Sequence, residues 1–162
     1  MKKLYLFTDG SVHVQSKIGY GACLLVSEDE LAAGNLKHRV QTKRFENTSS
    51  TKLELQMLLW ALSEIKTAAK KIIVYTDSQT IARLPERRNR LEKSNFRSKK
   101  GELLKNVDLY QEFYKIIDGI EYEIVQVQGH QPSRQKNSVE RIFTFVDKAS
   151  RKALRKEMED LK

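Results

Sequence analysis

Two short apolar runs in this chain stop in the same way. Leu4-Tyr5-Leu6-Phe7 is closed by Thr8-Asp9-Gly10-Ser11, and Ile72-Ile73-Val74-Tyr75 by Thr76-Asp77-Ser78-Gln79. Apolar runs of this length, bounded by turn residues and separated by helical sequence, read as buried parallel strands of one sheet. Each is expected to end on its aspartate, which puts Asp9 and Asp77 at one rim of strands about 4.8 Å apart. Ile18 to Val26 is a further apolar run, joined to the first by the polar link 12–17, and predicts an antiparallel hairpin partner. Gly19 and Gly21 inside it predict a bulge or a close backbone approach. Lys37 to Phe45 is polar and weakly patterned, as suits an edge strand, and Glu121 to Val127 alternates as a fifth strand.

Between these runs the period changes to that of a helix. Asn47-Thr48-Ser49-Ser50-Thr51 is a start signal, and Leu53 to Ile65 is apolar almost all round, which predicts a largely buried helix. A short helix from Ser78 to about Leu84 is expected to stop at Pro85. Core periodicity resumes over Val107 to Ile117. It returns from about Val139 towards Lys162, with Ile142, Phe143, Val146, Ala149, Ala153 and Leu154 facing inward. From Pro85 to Lys105 there are eight basic residues against three acidic ones, so 85–105 is expected to project as a basic protrusion rather than join the core. The pattern is that of one α/β domain over residues 1–162.

Bulk composition narrows the class. With 162 residues and 40% hydrophobic content the chain can bury a proper core. No apolar run approaches the roughly 20 residues of a membrane span, and the apolar stretch before Asp9 is too short for a signal peptide. A cytoplasmic monomer with no membrane partner is the expectation. Cys23, the lone cysteine, sits in the apolar run Ala22 to Val26, which excludes a disulfide framework or thiolate zinc site and predicts a core thiol. A net charge of +9, from 30 Lys and Arg against 21 Asp and Glu, favours a polyanion such as nucleic acid or an acidic membrane surface.

Candidate chemistry centres on acids. Carboxylates as close as Asp9 and Asp77 repel unless one holds a proton or a cation lies between them. Glu54 in the buried helix and Asp147 in the last helix are possible companions. Each has an everyday alternative. Thr51 to Glu54 is a capping-box pattern, Asp147 and Arg151 are spaced for a surface helix pair, and Asp-Gly or Asp-Ser can simply end a strand. Glu54, on a helix with scarcely any polar side, is the hardest to set aside. His130, in the polar run Gly129 to Ser138, reads by itself as an ordinary loop histidine.

Seven motifs in order resemble the type 1 ribonuclease H family from Leu4 to about Leu154: Phe7 to Ser11, Tyr20 to Ala22, Thr51 to Leu55, Tyr75 to Gln79, Asn106 to Tyr110, Gly129-His130, and Val146 to Arg151. The resemblance implies a five-stranded mixed sheet, three antiparallel strands followed by two parallel ones, flanked by helices. It implies that Asp9, Glu54, Asp77 and Asp147 hold two Mg²⁺ ions, with Mn²⁺ as a possible substitute, and that His130 assists proton transfer or product release. Ser49, Ser50 and Thr51 would hold the DNA-strand phosphate, Gly10 and Ser11 would face ribose hydroxyls, and Arg87, Arg88 and Arg90 would grip an RNA–DNA hybrid. The implied activity is hydrolysis of the RNA strand of that hybrid. A DNA-acting nuclease of the same fold and a non-catalytic nucleic-acid binding module are the rival readings. The chain departs from the family in carrying Lys52 where arginine is frequent. No tryptophan stands in the basic segment, and the stretch from Gln131 to Val146 is longer.

Overall fold

A computed structural model describes residues 3–65, 71–128 and 138–161. Five strands, β1 (Lys3–His13), β2 (Ile18–Ser27), β3 (Gln41–Phe45), β4 (Lys71–Thr76) and β5 (Tyr122–Gln126), form one sheet in the order β3-β2-β1-β4-β5. The first three pair antiparallel, and β4 and β5 run parallel to β1. The polar strand β3 lies at the edge, as its sequence predicts.

One strand is longer than expected. β1 does not end on Asp9 but continues to His13, because β2 keeps pairing with it as far as His13 opposite Ile18. Pairing with β4 stops earlier, at Phe7 opposite Tyr75. Asp9 therefore stands on a strand whose backbone is satisfied on one side, where the parallel neighbour has just ended on the other. That step in the sheet leaves room for side chains.

Helices cover both faces. The first, α1 (Glu28–Ala33), has no counterpart among the sequence expectations. It is started by a capping box in which Ser27 accepts from the Glu30 N–H and Glu30 accepts from the Ser27 N–H. The second, α2 (Ser50–Glu64), is capped by Ser49, whose hydroxyl accepts from the Lys52 N–H. Glu54 is thus not the partner of a Thr51 cap. It lies a turn further in, among the buried residues Leu53, Leu55, Met57 and Leu58. Three glycines, Gly10, Gly19 and Gly21, let α2 press against the sheet. A Cβ on Gly10 would come within 2.9 Å of Leu53, and one on Gly21 would overlap Met57. There is no bulge here, since the β1–β2 register runs unbroken through Gly19 and Gly21.

The third helix, α3 (Gln79–Lys93), corrects the expectation that Pro85 ends it. Proline removes one N–H and costs roughly 3 kcal/mol in a helix interior. Burial on both sides of it, by Ile81, Leu84 and Leu91, holds the helix through. The Tyr114 hydroxyl also donates to the Leu84 carbonyl at 2.7 Å. Leu91 and Phe96 are buried in the same core as α2, so the apolar residues of the basic segment do join the body. The fourth helix, α4 (Val107–Ile117), turns Tyr110, Phe113, Tyr114 and Ile117 into that core. On the opposite face α5 (Ser138–Asp160) packs Phe143 and Val146 against Phe7, Ala22, Leu24 and Val26. Its far end is tied down by Glu157, which accepts from Tyr20 at 2.6 Å and from Arg44 at 2.5 and 3.0 Å. No helix among the described residues is long and apolar enough to cross a membrane.

Candidate metal centre and nucleic-acid cleft

Three of the predicted acids meet at the step in the sheet. Asp9 comes from β1, Glu54 from the first turns of α2 and Asp77 from the residue after β4. Each offers a carboxylate oxygen, and the three oxygens lie within 4.8 Å of one another. Local structure fixes each one. The close approach of α2 over Gly10 brings Glu54 down to the strand. Asp77 is held between Thr76, whose hydroxyl accepts from the Ser78 N–H at 3.1 Å, and Ser78, which caps α3 through the Ile81 N–H at 3.3 Å. Asp147, from the middle of α5, lines the same cleft of about 390 Å³. Arg151, one turn on, pairs with it at 3.0 Å, so the expected helix pair forms, but beside the acids rather than apart from them.

The charges are crowded where water is scarce. Asp9 is 4% exposed and Glu54 9%. Burial pushes Asp9 up to about 8, with the Asp77 charge adding to it; the Gly10 N–H opposes this, and a hydrogen bond and charge shared with Asp147 raise it again. Glu54 is pushed well above the ordinary glutamate value, first by burial and then by the charges of Asp9 and Asp77. Two unit charges at 4.8 Å repel by about 3 kcal/mol at an effective dielectric near 20. Glu54 Oε2 is buried with no hydrogen-bond partner. Such an oxygen costs free energy unless something absent from the polypeptide satisfies it. A donor set made only of carboxylate oxygens suits a hard divalent cation. The lone thiol plays no part. Cys23 is buried in the core beside α2, and burial pushes it up to about 11.

The remaining predicted residues divide. Gly10, Ser11, Ser50 and Thr51 line the cleft with the acids, while Ser49 caps α2 next to them. Arg88 has another occupation. It donates two bonds to Asp118 at 2.5 and 2.8 Å and one to Glu92 at 2.7 Å, with its guanidinium 5.1 Å from the Tyr114 ring centre. Arg87 and Arg90 instead share an outer face of α3 with Arg83 and Glu86. His130 lies outside the described residues. Sequence reasoning passed over Ser78, Thr80 and Arg151 as cleft residues. The cap position of Ser78 and the spacing of Arg151 from Asp147 were the signals available.

A mixed five-stranded sheet with helices on both faces, and acids at the rim able to hold metal, defines a metal-site α/β domain. Comparison with known proteins gives its lineage. The family model for RNase H matches residues 1–154. The chain is 26% identical over 153 residues to a ribonuclease H of Caldicellulosiruptor saccharolyticus, spanning 93% of this chain and 100% of that one. It is 29% identical over 134 residues to a ribonuclease H of Hahella chejuensis, spanning 80% and 83%. The solution structure of the PFV RNase H domain shares the fold, with a TM-score of 0.71 at 15% identity over 94% of each chain. The chain belongs to the ribonuclease H family.

Proposed function

We propose that this protein is an endoribonuclease that hydrolyses the RNA strand of RNA–DNA hybrids with Mg²⁺, leaving 5′-phosphate and 3′-hydroxyl ends. The observation that carries this reading is the cluster of Asp9, Glu54 and Asp77 oxygens within 4.8 Å, with one buried oxygen of Glu54 unpartnered. Asp9, Glu54, Asp77 and Asp147 would hold two Mg²⁺ ions, or Mn²⁺ in their place. When bound, such a pair supplies an activated water and stabilises the leaving oxygen.

The chain's own residues do the rest. Asp9, which interacts with both Asp77 and Asp147, would serve both ions, and Glu54, Asp77 and Asp147 would complete the set. Ser49, Ser50 and Thr51, at the N-terminus of α2, present hydroxyls and unpaired backbone N–H groups to a strand phosphate. Gly10 and Ser11 border the path of the RNA strand, where ribose hydroxyls distinguish it from DNA. His130 would move a proton to or from the departing strand. Arg87 and Arg90 would add phosphate contacts, whereas Arg88 serves α3 itself. A binding module without chemistry has no use for two buried acids and a half-buried third facing a phosphate, which favours catalysis.

The test is cleavage of RNA–DNA hybrid, duplex RNA and duplex DNA by the purified chain with Mg²⁺, with Mn²⁺ and with EDTA. Metal-dependent cutting confined to the RNA of the hybrid is the expected result. Cutting of duplex DNA, or no cutting with either metal, would overturn the proposal.

A further inference from the structure

The outer face of α5 is a continuous strip of positive charge. Lys148, Arg151, Lys152, Arg155 and Lys156 are all exposed. Steps of three and four residues put them on one side of the helix, within a sector of about 140° at roughly 100° per residue. Phe143, Val146 and the wholly buried Ser150 point the other way, into the sheet. Among the described residues no ion pair engages Lys148, Lys152, Arg155 or Lys156. Glu157, which follows them, is held by Arg44 and Tyr20. Glu159 and Asp160 end the strip. Like charges one turn apart repel, so the strip weakens the helix unless a polyanion covers it.

Where the strip lies decides its partner. It begins at the candidate metal centre, because Asp147 and Arg151 line the cleft and Arg155 follows one turn beyond. Arg87 and Arg90 stand on α3, which packs on the opposite face of the sheet, so the cleft has a basic helix on either side. A membrane surface does not fit. The apolar side of α5 is spent in the core, and none is left to enter a lipid boundary. Unpaired bases do not fit either. They need aromatic rings to stack on, whereas Phe143 is buried and Phe145 packs against the core. What fits is the phosphate backbone of a duplex. From Lys148 to Lys156 the helix rises about 12 Å, the length of about three phosphates on one strand. We infer that the outer face of α5 holds the backbone of the duplex arm that leaves the cleft beside Asp147. This contact takes charge and reads neither base nor sugar. The inference rests on the hybrid-nuclease function proposed above and adds to it a second surface for the same substrate.

The experiment uses duplexes in which a few ribonucleotides in an otherwise deoxy strand fix the cut, with each arm lengthened in turn. Wild type is expected to gain about tenfold in kcat/KM when one arm, and not the other, extends past the cleft. Lys152→Gln, Arg155→Gln and Lys156→Gln together should remove that gain. On the long-armed duplex alone they should also reduce the slope of log kcat/KM against log salt by about 2–3. Lys152→Arg, Arg155→Lys and Lys156→Arg in one chain should keep the gain, which separates charge from helix packing. An equal loss on short and long arms overturns the inference, as does an unchanged salt slope. A gain that appears only when the extended arm is single-stranded overturns it too. If wild type cuts nothing, the proposed function fails. The surface is then judged by fluorescence anisotropy of the same duplexes, where the triple glutamine variant must lose the long-arm gain in affinity.

Discussion

Removing the charge of Asp9 should make the metal-free protein more stable while ending its metal-dependent activity. Burial and the neighbouring acids push Asp9 from 3.8 up to about 8. An acid raised in this way gives stability that is fully present below its unfolded value, near 4, and is lost as pH rises through about 8. Between those limits the folded state keeps a proton that the unfolded state has released, so the unfolding free energy falls with rising pH. At about 1.4 kcal/mol for each tenfold in proton affinity, the interval from 3.8 to pH 7 sets an upper bound of ~4 kcal/mol. Protons shared within the acid cluster lower the expected figure to about 2 kcal/mol. The assay is urea unfolding in EDTA from pH 5 to 8, wild type against Asp9→Asn. Wild type should lose stability across the range and the variant should lose less, because burial still raises Glu54 when the Asp9 charge is gone. At pH 7 the variant should melt roughly 4–8 °C higher. Mg²⁺ should raise the wild-type midpoint and leave the variant unmoved. A flat metal-free wild-type profile, or a variant weaker than wild type at pH 7, would refute the charge-crowding account.

Glu54→Gln should likewise abolish Mg²⁺-dependent cleavage and raise the melting temperature in EDTA; a variant that keeps its turnover would remove Glu54 from the metal site. Gly21→Ala should destabilise the protein by about 1–3 kcal/mol, because the new Cβ overlaps Met57, and Met57→Ala in the same chain should recover much of the loss in thermal unfolding. Arg88→Ala should lower the melting temperature and leave the salt dependence of hybrid binding unchanged, since its guanidinium is engaged by Asp118 and Glu92. Arg87→Ala with Arg90→Ala should do the opposite, reducing the slope of log K against log salt by about 1–2; an unchanged slope would show that this face of α3 does not touch the hybrid.

The acids were legible in the sequence because one motif repeats: Thr8-Asp9 and Thr76-Asp77 follow the point where β1 and β4 stop pairing, and their proximity followed from parallel topology alone. Glu54 was legible by contrast, as a charge on a helix otherwise apolar. The bounds of α4 could be read directly, since Val107 to Ile117 carries an amphipathic period with nothing to interrupt it. Pro85 misled because its local penalty is visible in sequence, whereas the core that buries Leu84 and Leu91 and the Tyr114 hydroxyl, which offset it, come from distant parts of the chain. Arg88 could not be told from its neighbours for a similar reason. One arginine in a basic run looks like the next, and only the position of Asp118, thirty residues on, separates it from Arg87 and Arg90. Ser150 gave no sign at all, because a small polar residue amid the charges of the last helix resembles an exposed one.

The helix α5 carries much of what covers one face of the sheet. Phe7, Ala22, Leu24 and Val26 are covered by Phe143 and Val146. Until α5 has been made, much of that side of the sheet therefore lies bare and sticky, open to chaperones or to a neighbouring nascent chain. Asp147 arrives on the same helix. The cleft thus lacks its fourth acid until that hydrophobic side is sealed, and closing the core and completing the cleft become a single event.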